Sequence, residues 1–380
     1  MRRRVRRMTK DSAPGVWASH SCLANFQFGP DKNVWPTHNR RVLEEIYRET
    51  LRRCAPEALI AKIWRDDFPR AVVAIGKCAG ALRDGIDCDD AFVALPHGYR
   101  EPRKPARVVF GTHPNYSAAS FAAGEELLRF VDAHRDITFI ISGGGSACVE
   151  VPLRDDAIEE NARLVASGLP IAEINRRRKA MSAIKGGKLA ERVHGRCVTL
   201  VYSDVSRGAY ADVASGPTIP GSDEVHLIAD NDTLTAAAAA IARERGLRVT
   251  QLKDQIECDV DDAARLFANA AFDDLLVAGG EPTVVKKGDG QGGRCSELAL
   301  RYLLHGGRHR ALFGSSDGVD GNSGVAAIEI RPGERDANRH EIETALERSD
   351  AFPLASKIGR AIMIPPAGNN LRDLYLLARG

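Results

Sequence analysis

The feature that most constrains this fold is the alternation of short, β-rich apolar runs with helical stretches. The runs are Ala71–Ile75, Val108–Gly111, Ile137–Ile141, Val198–Tyr202, Leu275–Ala278 and Ala311–Phe313. Strands that alternate with helices are typical of parallel sheets covered by helices on both faces. The sequence therefore predicts a doubly wound α/β fold.

The chain has 380 residues, which is more than a single hydrophobic core usually serves. We therefore expect two α/β domains with a cleft between them. An irregular stretch is expected at 206–231, followed by an alanine-rich helix, Asp232–Arg245, with Gly246 as its C-cap. The domain boundary is placed after this helix, which gives domains of residues 37–250 and 251–380.

Residues 1–36 mix basic, polar and isolated aromatic residues without a period, which predicts a disordered or extended arm. An amphipathic helix is expected next, over His38–Cys54. No apolar segment follows the basic first residues, and no run of about 18 apolar residues occurs in the chain. The sequence therefore predicts neither export nor a membrane span.

The formal net charge is only +2, so the sequence lacks the excess of basic residues expected of a nucleic-acid-binding protein. Any anionic ligand would have to be bound locally. The eight cysteines are scattered, without a Cys-x-x-Cys pair or a Cys/His cluster at zinc spacing. Reduced thiols and a cytoplasmic location are expected.

The strongest candidate for anion binding is the loop Ser142-Gly143-Gly144-Gly145-Ser146, which follows an apolar strand. Consecutive backbone N–H groups in such a loop can point into one concavity and hold phosphate oxygens. The alternative is a plain flexible turn. The loop is not a Walker A motif, because no Gly-Lys-Ser/Thr closes it.

A second glycine-rich loop, Gly288–Gly293, satisfies the pattern G-x-G-x-x-G but lies late in the chain. No acidic residue ends a following strand about twenty positions on, so a dinucleotide fold is weakly indicated. Arg294 and Glu297 follow on the first turn of a helix predicted over 294–304. This arrangement suits a phosphate or carboxylate better than a whole dinucleotide.

Polar residues also follow other predicted strands. Lys77 closes the first one, where its ammonium would face a cleft, although a solvated surface lysine is the alternative. Asp204 and Asp317 could hold Mg²⁺ or accept a proton from an attacking hydroxyl, but Asp-Gly is also common in turns. His113 could polarise a substrate or could be a hydrogen-bonded structural histidine.

Taken in order, these motifs resemble the glycerate 2-kinase family (DUF4147 and MOFRL), over roughly residues 40 to 377. The segments that carry the resemblance are Gly76-Lys77, Thr112-His113-Pro114, Ile141–Ala147, Ile174-Asn175 with Arg178-Lys179, Ser182–Gly187, Tyr202–Val205, Ala214–Thr218, Gly279–Thr283, Gly292–Arg294 with Glu297, Asp317–Gly321, and Gly368–Asn370 before Asp373. Several are loose individually, but their order and spacing together are specific.

The resemblance implies ATP- and Mg²⁺-dependent phosphorylation of the 2-hydroxyl of D-glycerate. The site would lie in a cleft between a larger N-terminal α/β domain and a smaller C-terminal, MOFRL-type α/β domain. On matching positions Lys77, Arg294 and Asp204 would be catalytic, and Asp317 would hold the metal. The substrate- and phosphate-binding positions would be Ser142, Gly143, Gly144, Gly145, Ser146, His113, Lys185, Glu281, Asn369 and Asn370.

Departures from the family pattern, at Cys295-Ser296 and over Pro366–Asp373, leave the acceptor open to a larger hydroxy acid, a sugar acid or a nucleoside. An NAD(P)H-dependent hydroxypyruvate reductase is the alternative from another class, since Gly288–Gly293 superficially fits it. A third is a non-catalytic sensor of a phosphorylated acid. The expected partners are a small hydroxy acid and a nucleotide, without nucleic acid or membrane, and a homodimer stays open.

Overall fold

The computed structural model describes residues 41–169, 171–333, 337–365 and 368–379, so the predicted arm at 1–36 lies outside the described residues. The helices are α1 Val42–Arg53, α2 Pro56–Ile63, α3 Ala79–Asp84, α4 Ala118–Ala133, α5 Gly145–Cys148, α6 Ala157–Ala166, α7 Ile171–Ala180, α8 Lys188–Glu191, α9 Asn231–Glu244, α10 Val260–Ala268, α11 Arg294–Leu304, α12 Arg339–Glu347 and α13 Ala351–Ile358. A 3₁₀ helix spans Tyr210–Ser215.

The first sheet has six strands, all parallel: β1 Ala71–Ile75, β2 Asp90–Pro96, β3 Arg107–Gly111, β4 Ile137–Ser142, β5 Cys197–Tyr202 and β6 Glu224–Ala229. Their order is β3-β2-β1-β4-β5-β6, which is the strand order of a doubly wound dinucleotide fold. Every residue of β4 and β5 is buried, as the apolar runs require.

The second sheet is mixed and has the order β11-β10-β9-β12-β8-β7. Its strands are β7 Val249–Gln251, β8 Leu275–Gly280, β9 Arg310–Ser315, β10 Ala327–Ile330, β11 Arg360–Ile362 and β12 Asp373–Ala378. The C-terminal strand β12 lies antiparallel between β8 and β9. The expectation of parallel pairing therefore fails here, because an inserted strand running in reverse separates β8 from β9.

A layer formed by α1 and α9 joins the two sheets into one hydrophobic core. Ile46 of α1 and Leu234 of α9 belong to the same buried cluster as Val72 of β1, Leu200 of β5 and Leu374 of β12. The Tyr47 hydroxyl donates to the Ser315 carbonyl at the end of β9. The two α/β units are thus fixed to each other by shared apolar packing.

The predicted α/β class with a second, smaller α/β unit is confirmed, and so are the six predicted strands, within two residues at either end. The helix predicted at 294–304 is α11, and Gly246 caps α9 with a φ of +81°. The expectation of an irregular segment at 206–231 is wrong, because β6 lies within it. Among the described residues no helix has the length and apolar character to cross a bilayer.

Candidate active site

The strand order places a crevice at the carboxyl ends of β1 and β4. From β1 the chain proceeds outward through β2 and β3, and it then returns to β4 on the other side of β1. Ligands of open α/β sheets bind at such reversals of strand order, outside the carboxyl ends of the strands. Lys77 follows β1 here, the glycine loop follows β4, and Asp204 follows β5.

Lys77 packs directly on the glycine loop. Its backbone N–H donates to the Gly143 carbonyl at 2.8 Å, and a Cβ added to Gly144 would lie 2.6 Å from the Lys77 Cγ. Gly144 has a φ of +77°, so glycine is favoured both by conformation and by this close approach. Burial opposes the charge of Lys77, but Tyr99, Asp317 and Asp204 outweigh it and raise its pKa.

The Asp204 carboxyl lies against the other side of the loop. A Cβ on Gly143 would come within 1.7 Å of the Asp204 Oδ2, and Asn370 Nδ2 donates to the same oxygen at 3.0 Å. Part of the Asp204 carboxyl faces the cleft. Its removal from bulk water nevertheless raises its pKa to about 6, and the negative charge of Glu281 acts in the same direction. Lys77 acts in the opposite direction. The result is a carboxylate that can exchange a proton near neutral pH.

The second sheet contributes a guanidinium to the same cleft. Arg294 begins α11, and its Nη1 lies 2.9 Å from the Glu281 Oε1 beyond β8. Its Nε lies 3.1 Å from the Asp373 Oδ2 at the start of β12. Asp373 is fully buried, and this burial raises its pKa to about 6 despite the opposing charge of Arg294. Asp373 and Glu281 therefore hold Arg294 in a fixed orientation.

The segment Gly368–Asp373 links the two halves of the cleft. Asn369 accepts from the Tyr202 hydroxyl and donates to the Cys54 carbonyl, both in the first unit. Arg372 lies in the second half, with its Nε 3.2 Å from the Glu281 Oε2 and a φ of +66°. Positive φ at a non-glycine residue is strained and persists only where the surroundings enforce it.

These groups line one cavity of about 480 Å³ between the two units. Lys77 and Asp204 face it from the first unit, and Glu281, Arg294, Asp317 and Arg372 face it from the second. A cavity of this size is typical of a small-molecule site. The structure thus brings together all three residues that the family resemblance marks as catalytic.

A second chamber of about 340 Å³ opens on the other side of Arg294, beside the loop 288–293. The N–H groups at the adjoining helix N-terminus, where a phosphate was predicted, are already bonded to Asp320. Its two carboxylate oxygens accept from the Cys295 and Ser296 N–H groups at 2.8 and 2.9 Å. The expectation of a phosphate site at this helix end is therefore wrong, and Arg294 alone remains available to an anion.

Three of the predicted binding side chains are engaged in internal contacts. The Ser142 hydroxyl donates to the Ile75 carbonyl at 3.0 Å and accepts from the Cys78 N–H at 3.2 Å. Lys185 is 1% exposed and forms a buried ion pair with Glu150. The Asn369 amide is bonded to the Tyr202 hydroxyl and the Cys54 carbonyl. In this conformation the three side chains hold the site in shape, and their direct contact with a substrate stays a prediction.

The glycine loop keeps backbone donors free. Within the part of the chain that the structure describes, the N–H groups of Gly144, Gly145 and Ser146 make no hydrogen bond with protein atoms. The Ser146 hydroxyl lies 2.8 Å from that of Ser215, which in turn donates to Asn175 Oδ1 at 3.0 Å. The loop therefore retains the donors that an anion-binding nest requires.

His113 follows β3, two residues after its last residue. Its ring is largely exposed, yet crowding by neighbouring protein atoms together with Lys77 and Arg178 lowers its pKa to about 4. At neutral pH His113 is uncharged and can act as a hydrogen-bond donor or acceptor toward a ligand.

Asp317, the predicted metal ligand, lines the cavity and accepts from the Ser315 hydroxyl at 2.8 Å. No group of three or more His, Cys, Asp or Glu residues suited to a metal ion occurs within the described ranges. Mg²⁺ is commonly held by one or two carboxylates together with substrate phosphates. Asp317 supplies such a carboxylate in the cavity that Lys77 also lines.

Sequence reasoning did not select Arg372 and Tyr99 as site residues. Tyr99 lies in the β2–β3 connection, with its ring centroid 5.6 Å from Lys77 Nζ. Arg372 directly precedes the buried Asp373, and an arginine–aspartate pair leading into the apolar strand β12 is the pattern that could have indicated it. Neither follows one of the strands on which the prediction was based.

Comparison with known proteins agrees with this architecture. Residues 42–250 match the family model described as a domain of unknown function, DUF4147, and residues 274–373 match the MOFRL family. The chain is 29% identical to a glycerate 2-kinase of Sulfurisphaera tokodaii over 362 residues, which covers 81% of this chain and 89% of that protein. It is 28% identical to a putative hydroxypyruvate reductase of Agrobacterium vitis, with 81% and 99% covered.

A solved structure has the same fold. The crystal structure of a glycerate kinase from Thermotoga maritima superposes with a TM-score of 0.79 and 25% sequence identity. The similarity covers 91% of this chain and all of that one. Both α/β units are thus reproduced in a known protein.

Proposed function

The chain belongs to the glycerate 2-kinase family, and we propose that it transfers the terminal phosphoryl group of ATP to a hydroxyl of a small hydroxy acid. D-Glycerate is the first candidate acceptor, and 2-phosphoglycerate would be the product. The observation that carries this proposal is the convergence of Lys77, Asp204 and Arg294, from two separate sheets, on one cavity.

The charges of the cleft suit phosphoryl transfer. In the transition state negative charge spreads over the equatorial phosphoryl oxygens, and fixed cations and N–H dipoles stabilise it. Lys77 and Arg294 supply the cations, and Gly144–Ser146 supply free N–H groups beside Lys77. Because Glu281 and Asp373 orient Arg294, it needs little reorganisation during the reaction.

Asp204 is the candidate general base. It would accept the proton of the acceptor hydroxyl while that oxygen forms a bond to phosphorus and the bond to the leaving diphosphate oxygen breaks. A base with a pKa of about 6 is ionised at neutral pH and still basic enough to take this proton. Asn370, which donates to Oδ2, would orient the carboxylate.

Mg²⁺ is part of the proposal. Asp317 is the carboxylate that would hold it, together with the phosphates of the nucleotide. When bound, the ion would neutralise charge that develops on the phosphate oxygens.

The chamber beyond Arg294 offers room for the rest of the nucleotide. With phosphates beside Lys77 and Arg294, the adenosine could extend past Arg294 toward Val284 and Ala351. A crystal structure with a non-hydrolysable ATP analogue tests this placement. Density for the base among residues 97–100 instead would contradict it.

A direct assay tests the function. The protein is incubated with ATP, Mg²⁺ and D-glycerate, and the product is identified by mass and by comparison with authentic 2- and 3-phosphoglycerate. A panel of hydroxy acids, sugar acids and nucleosides follows, to define the acceptor. If none is phosphorylated, the kinase proposal fails.

Hydroxypyruvate reduction is the second candidate, because two relatives carry that name and the first sheet has the dinucleotide strand order. The first turn of that sheet, however, has Gly76 and Lys77 where a dinucleotide fold has three spaced glycines. Oxidation of NADH or NADPH on addition of hydroxypyruvate decides between the two. A cytoplasmic location also belongs to the proposal, since the described cysteines are all free thiols.

A further inference from the structure

A buried arginine beside the glycine loop has no carboxylate partner. Arg178 is 7% exposed, and within the described ranges no carboxylate oxygen lies within 4.0 Å of its guanidinium. Its Nε donates to Asn161 Oδ1 at 2.9 Å, and its Nη2 makes only a long contact, 3.4 Å, with the Pro114 carbonyl. Its Nη1 makes no hydrogen bond with the described residues. A buried charge without a counter-charge is costly.

The surroundings of Arg178 do not supply the missing negative charge. The nearby ion pair of Lys185 and Glu150 is buried and balanced in itself, so the cluster holds two cations and one carboxylate. The Asn161 Nδ2, which is also buried, has no hydrogen-bond partner, while the Tyr116 hydroxyl interacts with the Glu150 carboxylate. A net positive charge beside an orphaned polar group points to an anionic ligand at this place.

The fold places Arg178 next to the candidate catalytic cleft. Asn175 and Arg178 lie one turn apart on α7, so they share a helix face. Asn175 is connected through Ser215 to the Ser146 hydroxyl of the glycine loop. Besides the crowding of its ring, the charges of both Lys77 and Arg178 lower the pKa of His113, so His113 is near both cations. The hydrogen bonds through Asn175 and Ser215 connect the Arg178 face of α7 to the glycine loop.

We propose that Arg178 binds the carboxylate of the acceptor and that the Ser146 hydroxyl completes this subsite, while the N–H groups of the loop serve the phosphoryl group. The inference rests on the proposed function and adds the reason why an acid is preferred to a neutral polyol. With its carboxylate on Arg178, the hydroxy acid would extend past His113 toward Lys77 and Asp204. Asn161 would act as a positioning residue, because its Oδ1 fixes the Nε edge of the guanidinium.

The test compares acceptors with and without a carboxylate. Kinetic constants are measured for D-glycerate and for glycerol in the wild type and in Arg178→Gln, with the KM for ATP determined in parallel. A charge-assisted hydrogen bond is lost, so the KM for D-glycerate should rise about 10- to 100-fold. The KM for ATP and the rate with glycerol should stay within about threefold, so the preference for the acid falls by the same factor.

Two further variants keep the test decisive if Arg178→Gln does not fold. Asn161→Asp keeps the shape of the side chain and places a carboxylate on Arg178, which should raise the KM for D-glycerate and weaken its binding measured by calorimetry without nucleotide. Arg178→Lys keeps the charge and should be affected less. The matched control is Arg177→Gln, since this neighbouring arginine is exposed and pairs with Glu173; its constants should not change.

The outcomes separate the two proposals. If the wild type phosphorylates no hydroxy acid, the proposed function fails. If it phosphorylates D-glycerate but the variants leave its KM unchanged, or change glycerol and glycerate equally, Arg178 is structural and this inference alone is wrong.

Discussion

At the residue scale, Lys77 and Arg294 are the two cations that the proposed chemistry depends on. Replacing either with alanine should lower kcat by at least about 10²-fold, since fixed charges at a transferring phosphoryl group contribute on this scale. Steady-state assays with ATP and the identified acceptor measure this change in kcat. The control is Lys62→Ala on α2, an exposed lysine far from the cleft, which should retain full activity. Unchanged turnover in Lys77→Ala would exclude it from catalysis.

Asp204 leads to a prediction about pH. Its carboxyl works as a base only when ionised, so kcat/KM should fall about tenfold per pH unit below a pKa of about 6. Asp204→Asn should lose most of the activity together with this limb of the profile. A wild-type profile without an inflection between pH 5 and 7 would contradict the assignment.

The Asp204 carboxyl should make the fold more stable at the low pH at which the enzyme loses activity. The pKa of Asp204 is raised on folding from 3.8 to about 6, so the folded state binds its proton more tightly than the unfolded chain. Burial of the charged form therefore destabilises the fold above about pH 6, and this cost disappears as the pH falls toward 3.8. Activity should thus decline before structure does, and circular dichroism measured across the profile should show a folded protein at pH 5.5.

At the element scale, the turn after β4 must approach Asp204 without a side chain. Gly143→Ala should displace the Asp204 carboxyl, because the new Cβ would lie 1.7 Å from its Oδ2. We expect kcat to fall more, when both changes are expressed as free energies, than the free energy of unfolding does. Gly246→Ala is the control: its φ of +81° makes it destabilising by about 1 kcal/mol, but it lies at the end of α9 and should leave kcat unchanged. Equal kcat in both variants would show that this approach is not needed.

Three of the strands that the sequence analysis did not predict, β6, β7 and β11, lie at sheet edges. The edge strand β6 is buried only at its last two residues and begins with Glu224, so it lacks the apolar run of β4 or β5. The strands β7 and β11 have only three residues each, which is too short for a pattern to be seen. Edge strands depend on the neighbour with which they pair. Burial alone is not sufficient for recognition, since the buried interior strands β2, β10 and β12 were not predicted either.

At the scale of the whole molecule, the two α/β units should unfold together. The helices α1 and α9 contribute to a core that includes residues of both sheets, so neither unit keeps its packing without the other. Ile46→Ala on α1 should lower the free energy of unfolding by about 2–5 kcal/mol, with a single calorimetric transition whose van't Hoff and calorimetric enthalpies agree. Two separate transitions would contradict the shared core.

The sequence by itself determined the class of fold and most of the first half of the site. Apolar strands followed at once by Lys77, by Ser142–Ser146 and by Asp204 must deliver these residues to one edge of a parallel sheet, because parallel strands share their carboxyl ends. The apolar periodicity at 38–54 likewise predicted α1, because burial of one helix face leaves a pattern in the chain.

Tertiary structure alone decided how the second half is assembled and which groups are free. The insertion of β12 between β8 and β9 brings Asp373 to Arg294, a contact between residues 79 positions apart that no local pattern encodes. The tertiary structure also decided that Asp320 caps α11 and that Arg178 is buried without a counter-charge. It placed Ser142, Lys185 and Asn369 in contacts within the protein. A residue type defines which bonds a side chain can make, but only its neighbours in space define which of these bonds remain for a substrate.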